Sequence, residues 1–299
     1  MFEVRDPRFW DVVDVEFDLT KVASGFIFTE GPIWHEGRQE LTFSDIPGNT
    51  QYRWTEAGGV TTFRTPSHMS NGNTYDRQGN MLSCEHGTSR VSRITLDEDG
   101  NEQDYTVLAT HYNGKELNSP NDIVVNQAGM IYFTDPPYGR SARHGVERTR
   151  ELDFCGVYRL NPADGSLTLL VDDFDRPNGL CFSMDETQLL INDTERRHIR
   201  VFDVEEDGTL VNDEIFAETV GEGHSKPDGM KIDSDENIYC CGPGGFHIFS
   251  SGGSCLGVIQ VPEHTTNFCF GDADMQSLYI TASTSIYRIR TRVPGHRIY

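Results

Sequence analysis

Basic residues are scarce in this chain. Its 299 residues include 25 Lys and Arg against 47 Asp and Glu, which gives a formal net charge of −22 at pH 7. A field of that sign repels nucleic acid backbones and anionic lipid headgroups. The composition therefore argues against nucleic acid and membrane surfaces as partners, although surplus carboxylates suit hard cations and a soluble surface.

Long apolar segments are also missing. No apolar run reaches the roughly 18 residues of a membrane-spanning helix, and residues 1–18 mix charges among their apolar positions. Such an N-terminus does not resemble a signal peptide, so we expect a cytoplasmic protein. The seven cysteines are scattered without a C-x-x-C pair, which favours free buried thiols over a disulfide framework or structural zinc.

Several common catalytic signatures are absent. The chain contains no G-x-S-x-G, H-E-x-x-H, P-loop or G-x-G-x-x-G motif. Serine hydrolysis, zinc-peptidase chemistry and nucleotide binding therefore have no support from motifs.

Helical periodicity is hard to find, whereas short apolar runs bounded by Gly, Asn and Asp recur throughout, as expected for an all-β chain. One unit repeats, with a polar residue near a small one, then an apolar strand, a turn and a second strand. Its six copies span residues 29–45, 70–85, 119–135, 176–193, 226–242 and 265–281.

Aligning the copies places an oxygen-bearing side chain at one equivalent position. These side chains belong to Glu30, Asn71, Asn121, Asn178, Asp228 and Asn267. Consecutive members lie 39 to 57 residues apart, which suits four-stranded blades. The sequence thus predicts a six-bladed β-propeller that spans residues 1–299 as a single domain.

Two segments outside the repeats have predicted roles. The last copy lacks room for a fourth strand before the chain ends, so residues 13–24 are expected to supply it and close the ring. The basic polar segment 139–154 lies within the longest interval and is expected to form a long loop over one face.

The innermost strands of a propeller run in the same direction, so their equivalent positions form a ring at one mouth of the central channel. Two carboxylates and several amides there make an oxygen-donor set that suits Ca²⁺, with Mg²⁺, Mn²⁺ or Zn²⁺ as alternatives. Asn and Asp also favour turns for local reasons, but that interpretation explains Glu30 poorly.

Five ordered motifs resemble the gluconolactonase, senescence-marker and luciferin-regenerating-enzyme family. The motifs are TEGPIW, SPNDIVV, GMIYFTDPPYG, RPNGLCFSMD and KPDGMKID, and the block CEHGTSRVSR is most similar to the gluconolactonase branch. The resemblance covers roughly residues 25–290. It implies a six-bladed propeller with a central divalent metal.

The resemblance also implies roles for particular residues. The metal ligands of the family fall on Glu30, Asn178 and Asp228, and Asn121 falls on a position that either ligates the metal or holds substrate. A related fluorophosphatase binds a second, structural calcium through an aspartate three residues after the catalytic one. This chain has Lys231 there, which argues against a second calcium of that kind.

The implied activity is the opening of sugar lactones such as glucono-1,5-lactone. A divalent cation would polarise the carbonyl, and Asp228 would act as general base or as nucleophile. The expected substrate contacts are Asn71, Asn121, His86, Asp135 and Tyr138, with the region of Arg140 and Arg143 close by.

Two other functions stay open from the sequence. A phosphotriesterase-like hydrolase would use the same site, and a non-catalytic calcium-binding propeller would serve as a scaffold. We expect a small-molecule lactone as the partner, and a monomer or a small homo-oligomer.

Overall fold

A computed structural model describes residues 1–297. The N-terminal segment contains β1 (Phe2–Val4), the short helix α1 (Phe9–Val12) and β2 (Thr20–Ser24). Blade one consists of β3 (Thr29–His35), β4 (Glu40–Asp45), β5 (Thr50–Thr55) and β6 (Gly59–Arg64). Blade two consists of β7 (Ser70–Tyr75), β8 (Met81–Glu85), β9 (Arg90–Leu96) and β10 (Glu102–Ala109).

A small hairpin precedes the third blade and is formed by β11 (His111–Tyr112) and β12 (Lys115–Glu116). Blade three consists of β13 (Ile123–Val125), β14 (Ile131–Asp135), β15 (Cys155–Leu160) and β16 (Leu167–Phe174), with a 3₁₀ turn at Tyr138–Arg140. Blade four consists of β17 (Pro177–Phe182), β18 (Gln188–Asp193), β19 (His198–Val204) and β20 (Leu210–Glu218).

The last two blades complete the chain. Blade five consists of β21 (Met230–Ile232), β22 (Ile238–Gly242), β23 (Gly245–Phe249) and β24 (Cys255–Gln260). Blade six contains β25 (Thr265–Gly271), β26 (Ser277–Ala282) and β27 (Ser285–Arg290).

The six sheets form a ring. In each sheet the strands pair antiparallel with their sequence neighbours, and the first strand of each repeat lies innermost. These inner strands, β3, β7, β13, β17, β21 and β25, contact one another in that order, and β25 also contacts β3. The predicted all-β, six-bladed propeller is therefore confirmed.

The N-terminal segment contributes to the two last blades. Strand β2 pairs with β27, with Thr20 opposite Arg288 and Ser24 opposite Ser285. This strand covers only the last part of the predicted 13–24 segment. Strand β1 was not predicted, and it pairs with β24 as a fifth strand on the outer edge of blade five.

The apolar core lies between neighbouring blades. Separate clusters fill the spaces between blades one and two, two and three, three and four, and four and five, and a larger one joins blades five, six and one. Because each sheet packs on both faces, some middle strands are mainly apolar and fully buried, such as β14 and β22. Phe9 and Val12 of α1 join the largest cluster.

Several of the aligned polar residues are followed in the sequence by a glycine, at points where two blades approach closely. A Cβ on Gly31 would collide with the backbone oxygen of Asn71, and its φ of +51° also favours glycine. A Cβ on Gly179 would likewise collide with the backbone oxygen of Asp228. These glycines let the polar residues beside them converge.

The predicted free thiols are confirmed, since all seven cysteines are unpaired and only Cys255 is partly exposed. Within residues 1–297, helices are all too short or too polar to cross a bilayer.

Candidate functional site

The starts of the inner strands surround a cavity of about 280 Å³. Five of the six aligned positions line it, namely Glu30, Asn71, Asn121, Asn178 and Asp228. The sixth, Asn267, lies outside the lining, where its side chain hydrogen-bonds Glu30 and its Oδ1 accepts from Lys231 Nζ at 3.3 Å. The structure thus brings together the polar residues that the repeat alignment predicts at one mouth.

Glu30 and Asp228 form a carboxylate pair on the floor of this cavity. The Glu30 side chain is buried, and its Oε2 accepts the Gly31 N–H at 2.8 Å. Burial raises the pKa of Glu30 to about 7, and the charge of Asp122 adds to the effect. Burial and the neighbouring Glu30 raise the pKa of Asp228 well above its usual range.

No basic side chain within residues 1–297 forms an ion pair with this carboxylate pair. The lysines on either side of Asp228 are engaged elsewhere, since Lys226 pairs with Glu195 and Lys231 lies 3.8 Å from Asp122. Two buried oxyanions side by side repel each other unless a cation or a proton compensates them.

The donor set fits a hard divalent cation. Glu30 and Asp228 supply two carboxylates, and the amide side chains of Asn178 and Asn121 line the same cavity. Ca²⁺ takes about six to eight oxygen ligands, some of them water. Within residues 1–297, His, Cys, Asp and Glu side chains do not cluster in threes as a metal site, so a cation here would need the amide oxygens.

The asparagines are ordered by a chain of hydrogen bonds. Asn71 Nδ2 donates to Asn121 Oδ1 at 2.5 Å, and Asn121 Nδ2 donates to Asn178 Oδ1 at 2.5 Å. Asn178 Nδ2 then donates to Thr194 Oγ1 at 3.1 Å, and Thr194 Oγ1 donates to Pro227 O at 2.8 Å. This chain links blades two, three and four around the cavity.

His86 holds the first part of that chain. Its Nδ1 donates to the carbonyl of His144 at 2.9 Å, so Nε2 is the acceptor that receives Asn71 Nδ2 at 3.1 Å. Burial lowers the pKa of His86 to about 4. The imidazole is therefore neutral near pH 7, and it joins the amide ring to the loop 139–154.

The loop 139–154 passes over the mouth, as predicted. The imidazole of His144 lies against the ring of Phe28, with 4.7 Å between centroids. Arg148 anchors the loop to blade two through a hydrogen bond to His86 O at 3.2 Å.

Tyr138 also reaches the cavity. Its hydroxyl lies close to Thr194 but makes no well-formed hydrogen bond within residues 1–297. Arg176 lies over its ring at 5.4 Å from the centroid.

Asp135 and Arg140 do not line the cavity. The buried carboxylate of Asp135 accepts the backbone N–H groups of Asn118 at 2.8 Å and Ser119 at 2.7 Å. Arg140 donates to the carbonyls of Asn118 at 2.6 Å and Leu117 at 2.5 Å. Both side chains support the segment that leads into Asn121, whereas Arg143 does line the cavity.

Several lining residues were not predicted from the sequence. They are Phe28, Ile46, His144, Thr194, Glu195, His224, Lys226, Pro227 and His264. Most lie one to four residues outside an inner strand or its partner, in the connections between strands. Lys226 and Pro227 lie inside an aligned repeat, and extending each repeat by two residues would also have included Thr194, Glu195 and His264.

Comparison with known proteins agrees with this architecture. Residues 28–284 match the model of the SMP-30/Gluconolactonase/LRE-like region family. The chain is 33% identical to a gluconolactonase of Zymomonas mobilis, over 97% of this chain and 85% of that protein. It is 28% identical to the pentonolactonase XacC of Haloferax volcanii, over 85% of this chain and 81% of that protein. The solved structure of a gluconolactonase from Xanthomonas campestris superposes with a TM-score of 0.87 at 33% identity, covering 97% of this chain and 94% of that one.

Proposed function

Because the chain belongs to the SMP-30/gluconolactonase/LRE-like family, we propose that it hydrolyses sugar lactones with the help of a divalent cation. The observation that carries the proposal is the carboxylate pair of Glu30 and Asp228 on the floor of an amide-lined cavity. The similarity to gluconolactonases supports the choice of substrate class.

The size of the cavity suits a small ligand. At about 280 Å³ it lies near the lower end of the range for small-molecule pockets. A single sugar ring is a better match for this volume than an oligosaccharide.

The cation would be held by Glu30, Asn178 and Asp228, with Asn121 beside them. When bound, it would supply Lewis-acid polarisation of the lactone carbonyl. Ca²⁺ is the first choice for an oxygen-only donor set, and Mg²⁺, Mn²⁺ and Zn²⁺ are the alternatives.

Asp228 is the catalytic group. Its carboxylate borders the cavity and is oriented by a hydrogen bond from Asn178. As general base it takes a proton from the attacking water; as nucleophile it attacks the carbonyl carbon directly. In either route one water is consumed, the ester C–O bond of the ring breaks, and one proton is released with the sugar acid.

Other side chains would orient the sugar. Asn71 and Asn121 present amide groups to the cavity, and His86 holds the Asn71 amide in place. The Tyr138 hydroxyl has capacity left to bond a sugar hydroxyl. Together they would keep the ring fixed over Asp228.

Proton release tests the proposal directly. The purified protein is assayed with glucono-1,5-lactone and with a pentonolactone, first with Ca²⁺, then with EDTA, and then with EDTA followed by excess Ca²⁺, Mg²⁺, Mn²⁺ or Zn²⁺. We expect turnover above the spontaneous rate that EDTA abolishes and one of the cations restores. Faster turnover of a fluorophosphate than of any lactone would favour the phosphotriesterase alternative, and cation binding without turnover of either would favour the scaffold.

A further inference from the structure

The rim of the cavity has the opposite charge to the rest of the protein. Arg143 and Lys226 line it, and Arg176 lies just behind Tyr138. A single carboxylate, that of Glu195, compensates two of these cations. It pairs with Lys226 and lies 3.7 Å from Arg176. The rim therefore carries excess positive charge in a chain whose net charge is −22.

Arg143 is the rim cation whose charge is not compensated by a carboxylate among residues 1–297. Its guanidinium forms no ion pair or hydrogen bond within residues 1–297. Burial lowers the pKa of His144 to about 4, and the charge of Arg143 adds to that effect. Burial and the charge of Arg143 also lower the pKa of His264. An imidazole is either neutral or cationic, so neither histidine balances the guanidinium.

The other arginines of the loop 139–154 all have ion-pair or hydrogen-bond partners. Arg140 pairs with Glu116 at 2.9 Å, and Arg148 lies 3.5 Å from the same carboxylate. Arg150 donates to Asn118 Oδ1 at 3.1 Å. These three anchor the loop, whereas Arg143 lines the cavity and has no partner in the part of the chain that the structure describes.

The rim and the floor also differ in what they can bind. The floor holds the carboxylate pair of Glu30 and Asp228, which repels anions unless a cation is bound. The rim offers Arg143, Lys226 and the neutral imidazole of His264, whose Nδ1 bonds Ser225 Oγ at 2.8 Å. A guanidinium without a partner is well suited to a carboxylate or phosphate, because its planar fork matches two oxygens at once.

We propose that the preferred substrates are sugar lactones with a second anionic group, a carboxylate or a phosphate ester, on the carbon chain outside the ring. The lactone carbonyl lies over Asp228, and the anionic group lies at the rim against Arg143 and Lys226. This inference rests on the proposed lactonase function and narrows its substrate class. In a chain with a net charge of −22, this positive rim is a local site that attracts anions.

Two matched pairs of lactones test the proposal on the cation-loaded protein. Glucono-1,4-lactone is compared with glucaro-1,4-lactone, and glucono-1,5-lactone with its 6-phosphate. In at least one pair we expect kcat/KM for the anionic member to exceed that of the neutral member by about tenfold, the effect of one charge-assisted hydrogen bond. The pair that shows the preference identifies carboxylate or phosphate as the recognised group.

Variants assign the preference to the rim. Arg143→Gln is expected to reduce the ratio of anionic to neutral kcat/KM about tenfold, and Arg143→Lys to restore part of it. Lys226→Gln should reduce the ratio by a smaller factor, since Glu195 already compensates that ammonium. Arg77→Gln is the matched control, because Arg77 lies at the other end of the channel, and it should leave the ratio unchanged.

Two results would overturn the proposal. One is equal kcat/KM within both lactone pairs, and the other is an Arg143→Gln variant that lowers both members of a pair by the same factor. Either would leave lactone hydrolysis itself intact. Absence of turnover for all four lactones would instead remove the proposed function, and this inference with it.

Discussion

The two ends of the central channel are built by the same six strands but differ in chemistry. At the mouth the strands begin with carboxylates and amides around a cavity of about 280 Å³. The far end has a smaller cavity of about 90 Å³ lined mainly by apolar side chains, among them Ile33, Ile123, Leu180 and Phe270. The two ends are only a few residues apart along each strand.

This difference shows how the fold separates stability from chemistry. The far end is continuous with the apolar clusters between blades, so its residues contribute through burial. Polar groups at the mouth instead repel one another or lack some of their hydrogen-bond partners. The carboxylates of Glu30 and Asp228 are an example of such repulsion. Changes at the mouth should therefore affect activity and cation binding, and changes at the far end should affect the free energy of unfolding.

The largest expected effect comes from Asp228→Asn. Loss of the carboxylate removes the proposed general base or nucleophile, so kcat in the proton-release assay should fall by about 10²–10⁴-fold. The fold should persist, because the variant relieves the repulsion with Glu30. Asp235→Asn, in the exposed turn between β21 and β22, is the control and should retain activity. Full activity of Asp228→Asn would contradict the assignment.

Leu180→Ala tests the far end. Leu180 is fully buried in the cluster between blades three and four, and its truncation should lower the free energy of unfolding by about 3 kcal/mol. Below the melting temperature, kcat/KM should stay close to that of the unmodified protein. Ile215→Ala removes an exposed side chain of β20 and should change stability by less than about 0.5 kcal/mol. A large fall in kcat/KM of folded Leu180→Ala would show that the two ends are not separate.

Calcium should stabilise the protein, and more so at higher pH. Burial raises the pKa of Glu30 from its usual value of 4.5 to about 7, so between these pH values the folded cation-free protein holds a proton that the unfolded chain releases. Its stability therefore falls as pH rises through about 7. Calcium at about 100 times its Kd should add about 2.7 kcal/mol. Thermal melts in EDTA and in calcium should differ more at pH 8 than at pH 6, and an equal or smaller difference at pH 8 would contradict the carboxylate-pair assignment.

The smallest expected effect comes from His86→Leu. This change removes the acceptor of Asn71 Nδ2 and the donor to His144 O, so kcat/KM should fall about tenfold through poorer orientation of the amide. His86→Gln keeps polar atoms at the site and should recover part of the loss. Because burial lowers the pKa of His86 to about 4, neither variant should move the pH profile between 6 and 8. A displaced profile would instead indicate that the imidazole titrates during turnover.

Much of the fold and part of the site follow from the repeat alone. The alignment that groups Glu30 with five other positions predicts both the blade number and the convergence of those side chains, because a periodic sequence places equivalent residues at equivalent radii. The alignment did not predict Thr194 or His264, which come from connections that share no period.

Asp135 shows a second limit of prediction from the sequence. It ends β14, the second strand of blade three, and its carboxylate suits substrate binding. That carboxylate nevertheless accepts the N–H groups of Asn118 and Ser119. Arg140 and Arg143 differ in the same way, since the buried anchor and the guanidinium at the rim lie only three positions apart in the sequence. Side-chain direction at such positions depends on which backbone groups the neighbouring segment leaves unpaired.

The number of blades, the ring of oxygen-bearing residues and the resemblance to a lactonase family can all be inferred from the sequence. They follow from the repeat period and from short motifs, which do not depend on packing between distant segments. Three findings required the folded structure: Asn267 lies behind the floor, Asp135 is a support, and Arg143 has no partner among residues 1–297. Those outcomes depend on the paths of the connecting loops. The loops determine which hydrogen-bond and ion-pair partners lie within reach of each side chain, and these partners determine its orientation.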